Sequence, residues 1–330
     1  MCGEARLSAP LEKEVGVMAQ PLVVIGASGF VGYHLLSALP SDFDVRVFIH
    51  NRGLPSDLHS ANITTFSGDL LDRESLRNLL TDECVVMNLT YLRDAGREHN
   101  LAAIRNLADA CAACRVRRLV HCSTAMVYGD LPQNVIDEGT ECAPESAYET
   151  VKWDIERLLV TEYSDSFELA ILRPTAVFGP YGKNLLKLSD QLHSGSRTLG
   201  YVKACLLYRR RMNLVAVDNV VAALLFLADP SRTLRERIYI ASDDDVESNT
   251  YGFVERYLME RFGIERYTLP VLPAPRGVAR AILRASGSPR TNPLQIYRAR
   301  NLTAEGYRNV ISFEAALDGF ADWYRTRHSQ

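Results

Sequence analysis

An α/β fold, a doubly wound parallel sheet with a small and discontinuous C-terminal lobe, is what this 330-residue sequence predicts. Three observations carry the prediction. Strand-like and helix-like runs alternate from residue 21 onward, the pattern of a sheet covered by helices on both faces. The strand-like runs are continuous apolar stretches, as parallel strands buried on both sides must be. Finally, three glycines at three-residue spacing join the first strand to the first helix, a junction that needs unusual backbone freedom.

Residues 1–20 are polar, with Glu4, Glu12, Lys13 and Glu14 where a secretory signal would need an apolar stretch. They read as a flexible extension, and Met18 directly precedes the first strand. Leu22–Ile25 is that strand, followed by a helix over Phe30–Leu39 with Val31, Leu35, Leu36 and Leu39 on one side. Val45–Ile49 and Ile63–Phe66 are the next two strands. Ser75–Leu80 reads as a short helix, Val85–Leu89 as a strand and Leu101–Cys114 as a long apolar-faced helix. Arg118–Cys122, Ala147–Glu162 and Leu169–Leu172 continue as strand, helix and strand. Beyond Pro180 the pattern loosens. The expected organisation is a cofactor domain over residues 21–180, to which 213–245 return, and a lobe built mostly from 181–212 and 246–330. Arg209–Arg211, Arg276, Arg280, Arg284 and Arg290 make that lobe arginine-rich.

Composition narrows the classes. The chain is 47% hydrophobic and 23% charged, an ordinary globular balance. A net charge of −3 does not advertise a nucleic acid partner. The longest apolar run, Val220–Ala228, is far short of the ~20 residues a membrane span needs, so no membrane partner is expected. Seven cysteines without a secretory signal favour reduced thiols and a cytoplasmic setting. Cys111 and Cys114 sit in a helix interior and read as buried small residues. The histidines lack metal-binding spacing, so no metal is expected. The run Asp243-Asp244-Asp245 reads as a solvated turn.

Gly26, Gly29 and Gly32, with Ser28, Phe30 and Val31 between them, form a strand–loop–helix junction. The first glycine allows the tight turn, the second lets a pyrophosphate approach the backbone, and the third lets the helix pack on the strand. The phosphates would sit on free N–H groups at the positive helix end. This is a Rossmann-type dinucleotide site. The second strand ends in His50-Asn51-Arg52, without the acid that would hold an NAD ribose. NADP(H) is therefore favoured over NAD, with Arg52 and His50 near a 2′-phosphate; Arg52 as a solvated turn residue is the plain alternative. Asp57 falls too late to serve. Asp69 suits the adenine amine, or a turn.

Tyr148 and Lys152, four apart, share one helix face, and Ser123 and Thr124 end the preceding strand. A hydroxyl, a phenol and an ammonium suit hydride transfer at an alcohol or ketone carbon. The phenol moves the oxygen's proton, the cation favours phenolate, and the hydroxyl holds the substrate oxygen.

Here the sequence resembles the extended short-chain dehydrogenases/reductases, the family of NAD(P)-dependent nucleotide-sugar epimerases, dehydratases and ketoreductases. The matching stretches are Gly26–Gly32, Gly68-Asp69-Leu70, Cys122–Gly129, Tyr148–Lys152, Leu172–Pro180, Asn213–Asn219 and Leu317–Tyr324. The resemblance implies Thr124, Tyr148 and Lys152 as catalytic hydroxyl, acid/base and cation. It implies cofactor contacts from Ser123, from the turn Arg173-Pro174-Thr175, and from Leu70 and Leu89. It also implies Thr124, Met126 and Ala176 against the substrate and Arg211 on its diphosphate. A homodimer is expected as well, with Leu101–Cys114 and Ile155–Leu159 on the two helices that family members pair across a two-fold axis; that their apolar faces are simply core is the plain alternative.

Departures narrow the reaction. Dehydratases of this family carry Asp-Glu after the catalytic Thr, and enzymes that epimerise next to the ketone use a Cys two residues after it. This chain has Ala125-Met126. Simple redox at one carbon remains, as a 4-ketoreductase or 4-epimerase of a nucleotide-linked sugar, and the NADP preference tilts toward reduction. Ala176 stands where many epimerases have a diphosphate-binding Asn, which keeps open a reductase of a non-nucleotide ketone or sterol-like alcohol. A non-catalytic NADP(H) sensor is the rival of a different class, but would have no need of the Thr-Tyr-Lys set.

Overall fold

The computed structural model describes residues 21–40, 43–58, 62–287 and 290–328, so the expected N-terminal extension lies outside the described residues. The first half holds β1 (Leu22–Ile25), α1 (Phe30–Ala38), β2 (Val45–Ile49), β3 (Ile63–Ser67), β4 (Val85–Asn88), α2 (Gly96–Ala113) and β5 (Arg118–Cys122). After it come β6 (Val135–Ile136), α3 (Ala147–Tyr163), β7 (Glu168–Pro174), β8 (Ala176–Phe178), α4 (Leu186–Ser194) and α5 (Arg197–Leu207). The chain continues through β9 (Leu214–Ala216), α6 (Val217–Ala228), β10 (Ile238–Ala241), α7 (Tyr251–Arg261), α8 (Arg276–Ala285), β11 (Ile296–Tyr297), α9 (Arg300–Ala304) and α10 (Phe313–His328).

Seven strands form one sheet in the order β10-β7-β5-β4-β1-β2-β3, parallel throughout. The chain steps outward from β1 to β3 and then crosses back to β4, so the order reverses between β1 and β4. A crevice opens at the carboxyl ends of strands at such a reversal, and ligands of open α/β sheets bind there. Every residue of β1, β4 and β5 is buried. Alternate side chains serve two cores. Leu22 and Val24 meet Leu35 of α1 and Val220 and Leu224 of α6. Val23, Ile25 and Val86 meet Ile104 and Leu107 of α2 and Ile155 and Leu159 of α3. A third cluster joins Phe178, Leu214, Val254, Leu258 and Phe320, holding β8, β9, α7 and α10 together.

Three sequence expectations change. The helix expected over Ser75–Leu80 is a 3-10 turn at Arg73–Leu76, begun where Asp72 accepts from the Glu74 N–H. Helix α2 starts five residues early, at Gly96, because the Asn100 amide holds the entering chain at Leu92 and Gly96. The apolar faces of α2 and α3 that suggested a two-fold pairing lie in the sheet core, while Arg97–Asp154 and Arg105–Glu162 ion pairs join the two helices along their rims. Cys111 packs in that core and Cys114 caps the helix.

The aspartate run is the clearest correction. Asp243 and Asp244 are buried, not solvated; only Asp245 is exposed. Asp243 accepts from the Ala216 N–H and from the Asn219 and Asn309 amides. Asp244 accepts from Asn213, Asn249 and the Tyr297 N–H. The two carboxyls seam the lobe segments to the sheet, and burial pushes their pKa values up to about 6 and about 7. Among the described residues no group of three His, Cys, Asp or Glu is placed to hold a metal, and no helix is long and apolar enough to cross a membrane.

Candidate active site

The loop after β1 is shaped by two glycines. Gly26 sits at φ +88, and a Cβ there would stand 3.0 Å from the Leu89 carbonyl carbon and 3.1 Å from the Thr90 nitrogen. At Gly32 a Cβ would come within 2.5 Å of the Gly26 oxygen, so the helix closes on the loop only without one. Gly29 caps α1 and no side chain occupies the cap. The N–H groups of Phe30, Val31 and Gly32 thus start the helix without side-chain acceptors, beside the exposed Ser28 and Gly29. Thr90 Oγ1, which a Gly26 Cβ would also crowd, is buried without a partner. Donors without acceptors at a positive helix end fit a pyrophosphate, so the residues present suit a dinucleotide.

At the end of β2, His50, Asn51 and Arg52 are all exposed. His50 Nε2 lies 3.6 Å from the Asp69 carboxylate. Arg52 has no carboxylate partner among the described residues, whereas Asp57 accepts the Tyr33 hydroxyl at 2.8 Å. Asp69 also accepts from the Leu71 N–H at 2.9 Å. Leu70 packs in the core with the α2 face. Leu89 is half-buried against Gly26.

Thr124, Tyr148 and Lys152 converge at the carboxyl end of β5. Ser146 and Glu149 begin α3 with a capping box, Ser146 Oγ accepting from the Glu149 N–H and Glu149 Oε2 from the Ser146 N–H. That start places Tyr148 in the first turn and Lys152 one turn later. The Thr124 hydroxyl accepts from the Met126 N–H at 3.2 Å and lies near the Tyr148 phenol. Lys152 is buried, and its Nζ donates to the Cys122 carbonyl at 3.0 Å. The Tyr91 ring meets Tyr148 edge-on at 4.9 Å and lies 5.5 Å from the Lys152 ammonium. Burial pushes the Tyr148 phenol up to about 12, against smaller lowering effects of the Thr124 hydroxyl and the Arg93 cation, and burial also lowers the Lys152 pKa. Desolvation dominates, so Tyr148 is a phenol with a proton to give.

The remaining candidates divide. Ser123 is buried and donates to Glu156. Arg173 makes a buried ion pair with the same carboxylate and donates to the Tyr128 hydroxyl at 2.8 Å. Both side chains therefore brace the site from beneath. Pro174 ends β7 and the Thr175 N–H donates to Ala241, so that turn forms the crevice wall. Ala176 begins β8. Arg211 donates to the Val246 carbonyl at 2.9 Å, and its own N–H donates to the Pro293 carbonyl. Met126 offers its carbonyl to Arg290 at 2.9 Å, and Arg290 also reaches Glu149 at 3.4 Å.

Sequence reasoning missed Tyr91, Glu156 and Arg290 as parts of this constellation. The four-residue spacing from Lys152 to Glu156 was a usable signal, since it sets both on one face of α3. Nothing local marks Tyr91. Arg290 stood out only as one arginine among several, and its placement over α3 is a tertiary fact.

Comparison with known proteins gives the family and the fold. Residues 22–241 match the family model described as the NAD dependent epimerase/dehydratase family. The chain is 27% identical to sterol demethylase protein B of Methylococcus capsulatus, covering 92% of this chain and 98% of that one. It is 28% identical to the N-acetyl-alpha-D-glucosaminyl-diphospho-ditrans,octacis-undecaprenol 4-epimerase of Escherichia coli O157:H7, over 54% of this chain and 55% of the relative. Among solved structures, the UDP-glucose 4-epimerase of Thermus thermophilus in complex with NAD superposes at a TM-score of 0.66, with 21% identity over 93% of this chain and 99% of that one.

Proposed function

The chain belongs to the NAD-dependent epimerase/dehydratase family, and from that premise we propose that it moves a hydride at a single carbinol or keto carbon of a nucleotide-linked sugar. The observation that carries this reading is the convergence of Thr124, Tyr148 and a buried Lys152 at the carboxyl end of β5, at the same sheet edge as the Gly26–Gly32 cradle. A bound nicotinamide cofactor would supply the hydride donor or acceptor. The chain supplies the rest. Tyr148 gives a proton to the forming alkoxide when a ketone is reduced, and takes it back in the reverse sense. Thr124 hydrogen-bonds the reacting oxygen, and Lys152 supplies the positive charge that brings the phenolate within reach.

Residues 181–212 and 246–330 would form the substrate lobe. Arg211 and Arg290 are its candidate diphosphate donors, and Met126 and Ala176 line the sugar side. With Ala125-Met126 after the catalytic Thr, elimination and neighbouring-carbon epimerisation lack their acids and bases, leaving 4-ketoreduction or 4-epimerisation. The acid-free β2 end with an exposed Arg52 supports NADP(H), and hence net reduction, although the solved relative named above is a complex with NAD.

Turnover of a 4-keto nucleotide sugar with NADPH, followed by cofactor absorbance, tests the reaction. Tyr148→Phe should lose about 10²–10⁴-fold in turnover while still binding cofactor; a fully active variant would overturn the assignment. Arg52→Ala should weaken NADPH and leave NADH unchanged, and equal affinities in both proteins would remove the NADP reading. A second reading, reduction of a sterol-like carbinol or ketone without a nucleotide, is favoured by the match to a sterol demethylase protein along nearly its whole length. The same assay with a nucleotide-free ketone separates the two.

A further inference from the structure

Charge is segregated along this sequence. Residues 191–217 and 266–304 hold twelve of the 37 Lys and Arg and no Asp or Glu, leaving 25 basic against 40 acidic residues elsewhere. These two stretches pack on each other. Tyr201 Oη donates to the Pro270 carbonyl at 3.0 Å, its ring meets Tyr267 edge-on at 5.5 Å, and the Ala274 N–H donates to the Cys205 carbonyl at 2.9 Å.

Exposed apolar side chains gather on the same two stretches. Of eight large exposed hydrophobics among the described residues, five are Leu199, Val202, Leu269, Leu272 and Val278. Leu269 and Leu272, at 61% and 69% exposure, flank Pro270; Leu199 and Val202 flank Tyr201. Helix α8 is anchored by the buried Ala279 and Leu283, and it turns Val278 and Arg284 outward. Single exposed leucines need no explanation, but a gathered set on two stretches with no acid of their own is not an ordinary solvated face, even with Arg266, Arg290 and Arg300 paired to Glu260, Glu149 and Asp137 from outside them.

We propose that this face of the lobe, α5 with the 267–278 segment and α8, docks peripherally on an anionic phospholipid bilayer. Leucines at the acyl boundary and arginines at the headgroups are what such a surface takes. A second copy of the face would set like charge against like charge, which argues against self-pairing there. The missing membrane partner of the sequence reading rested on the lack of a spanning stretch, and peripheral docking requires none. Arg290, which reaches Met126 and Glu149 at the site, lies on the same acid-free stretch. Docking would therefore bring the substrate cleft close to the bilayer surface.

Flotation of the full chain tests this, using vesicles of phosphatidylcholine alone and of phosphatidylcholine with an equal part of phosphatidylglycerol. The chain should float with the mixed vesicles at low salt, at least about tenfold better than with the neutral ones, and salt should release it. Leu269→Ser with Leu272→Ser, and independently Arg280→Glu with Arg284→Glu, should each abolish flotation at an unchanged melting temperature. No binding to mixed vesicles, or equal binding by both variants, overturns the proposal. So does a chain that never floats but becomes monomeric with the serine pair, because the face would then serve self-association.

Discussion

In the sheet half two buried arginines are paired with carboxylates, while the buried Lys152 ammonium is held by the Cys122 carbonyl. Arg173 meets Glu156, and the fully buried Arg118 meets Glu168 and three backbone carbonyls. Where the lobe joins the sheet, Asp243 and Asp244 are instead held mainly by amide N–H donors, and within the lobe Glu255 is held by the hydroxyls of Tyr251 and Tyr267. The lobe's cations meanwhile lie largely on its outside. Paired charges fail when one partner is removed, whereas carboxyls held by neutral donors respond to the proton. The seam that sets the lobe on the sheet therefore carries carboxyls whose proton uptake is raised by burial.

The largest expected effect comes from breaking a pair. Arg173→Met strands Glu156 in the core beneath Ser123 and should cost about 3–5 kcal/mol of stability in denaturant unfolding. Adding Glu156→Gln should recover part of that loss, because the second change removes the unpaired charge. If the double variant is as unstable as the sum of the singles, the two side chains act independently and the paired-charge account of this half fails.

The same contrast decides what could be read from sequence. The sheet half was legible almost throughout because its signals are local: continuous apolar strands, a glycine junction, and Tyr148 and Lys152 at helical spacing. Those signals place Thr124, Tyr148 and Lys152 together, as the structure does. The lobe seam was not legible. Three successive aspartates look solvated because their charge density disfavours burial. What permits it is amides supplied from Asn213, Asn219, Asn249 and Asn309, which are gathered only by folding. The direction of the Ser123 and Arg173 side chains was hidden for a related reason. Local pattern puts them at strand ends but does not say which way each side chain turns, and the buried Glu156 decides that.

The seam makes the next prediction. Asp244 has a folded pKa near 7, and Glu255 likewise, against ordinary carboxyl values near 4 in an unfolded chain. Between those values the folded protein keeps a proton that the unfolded chain has lost, so stability falls as pH rises through the window. This contribution is fully present below about pH 4 and absent above about pH 7. Unfolding free energy should therefore decline from mildly acidic to mildly alkaline buffer by an amount on the order of 2 kcal/mol, read in denaturant unfolding. Asp244→Asn should flatten the slope while lowering the plateau, since its amide accepts at only one of the two positions where Asp244 accepts, from Asn249 at one and from Asn213 and the Tyr297 N–H at the other. A slope unchanged in Asp244→Asn would assign the proton elsewhere.

The smallest effect is expected on the outer face of the lobe, and its smallness is the informative part. Leu272 is 69% exposed, so Leu272→Ser removes little buried apolar area and should change unfolding free energy by no more than about 0.5 kcal/mol. Arg284→Glu, also on an exposed position, should behave the same way. Neither change touches the Asp244 seam or the Arg173 pair, so both regions should keep their behaviour. A loss above about 1 kcal/mol would mean that these side chains pack within the lobe. The apolar and basic face would then be part of the fold rather than a surface held ready for a bilayer.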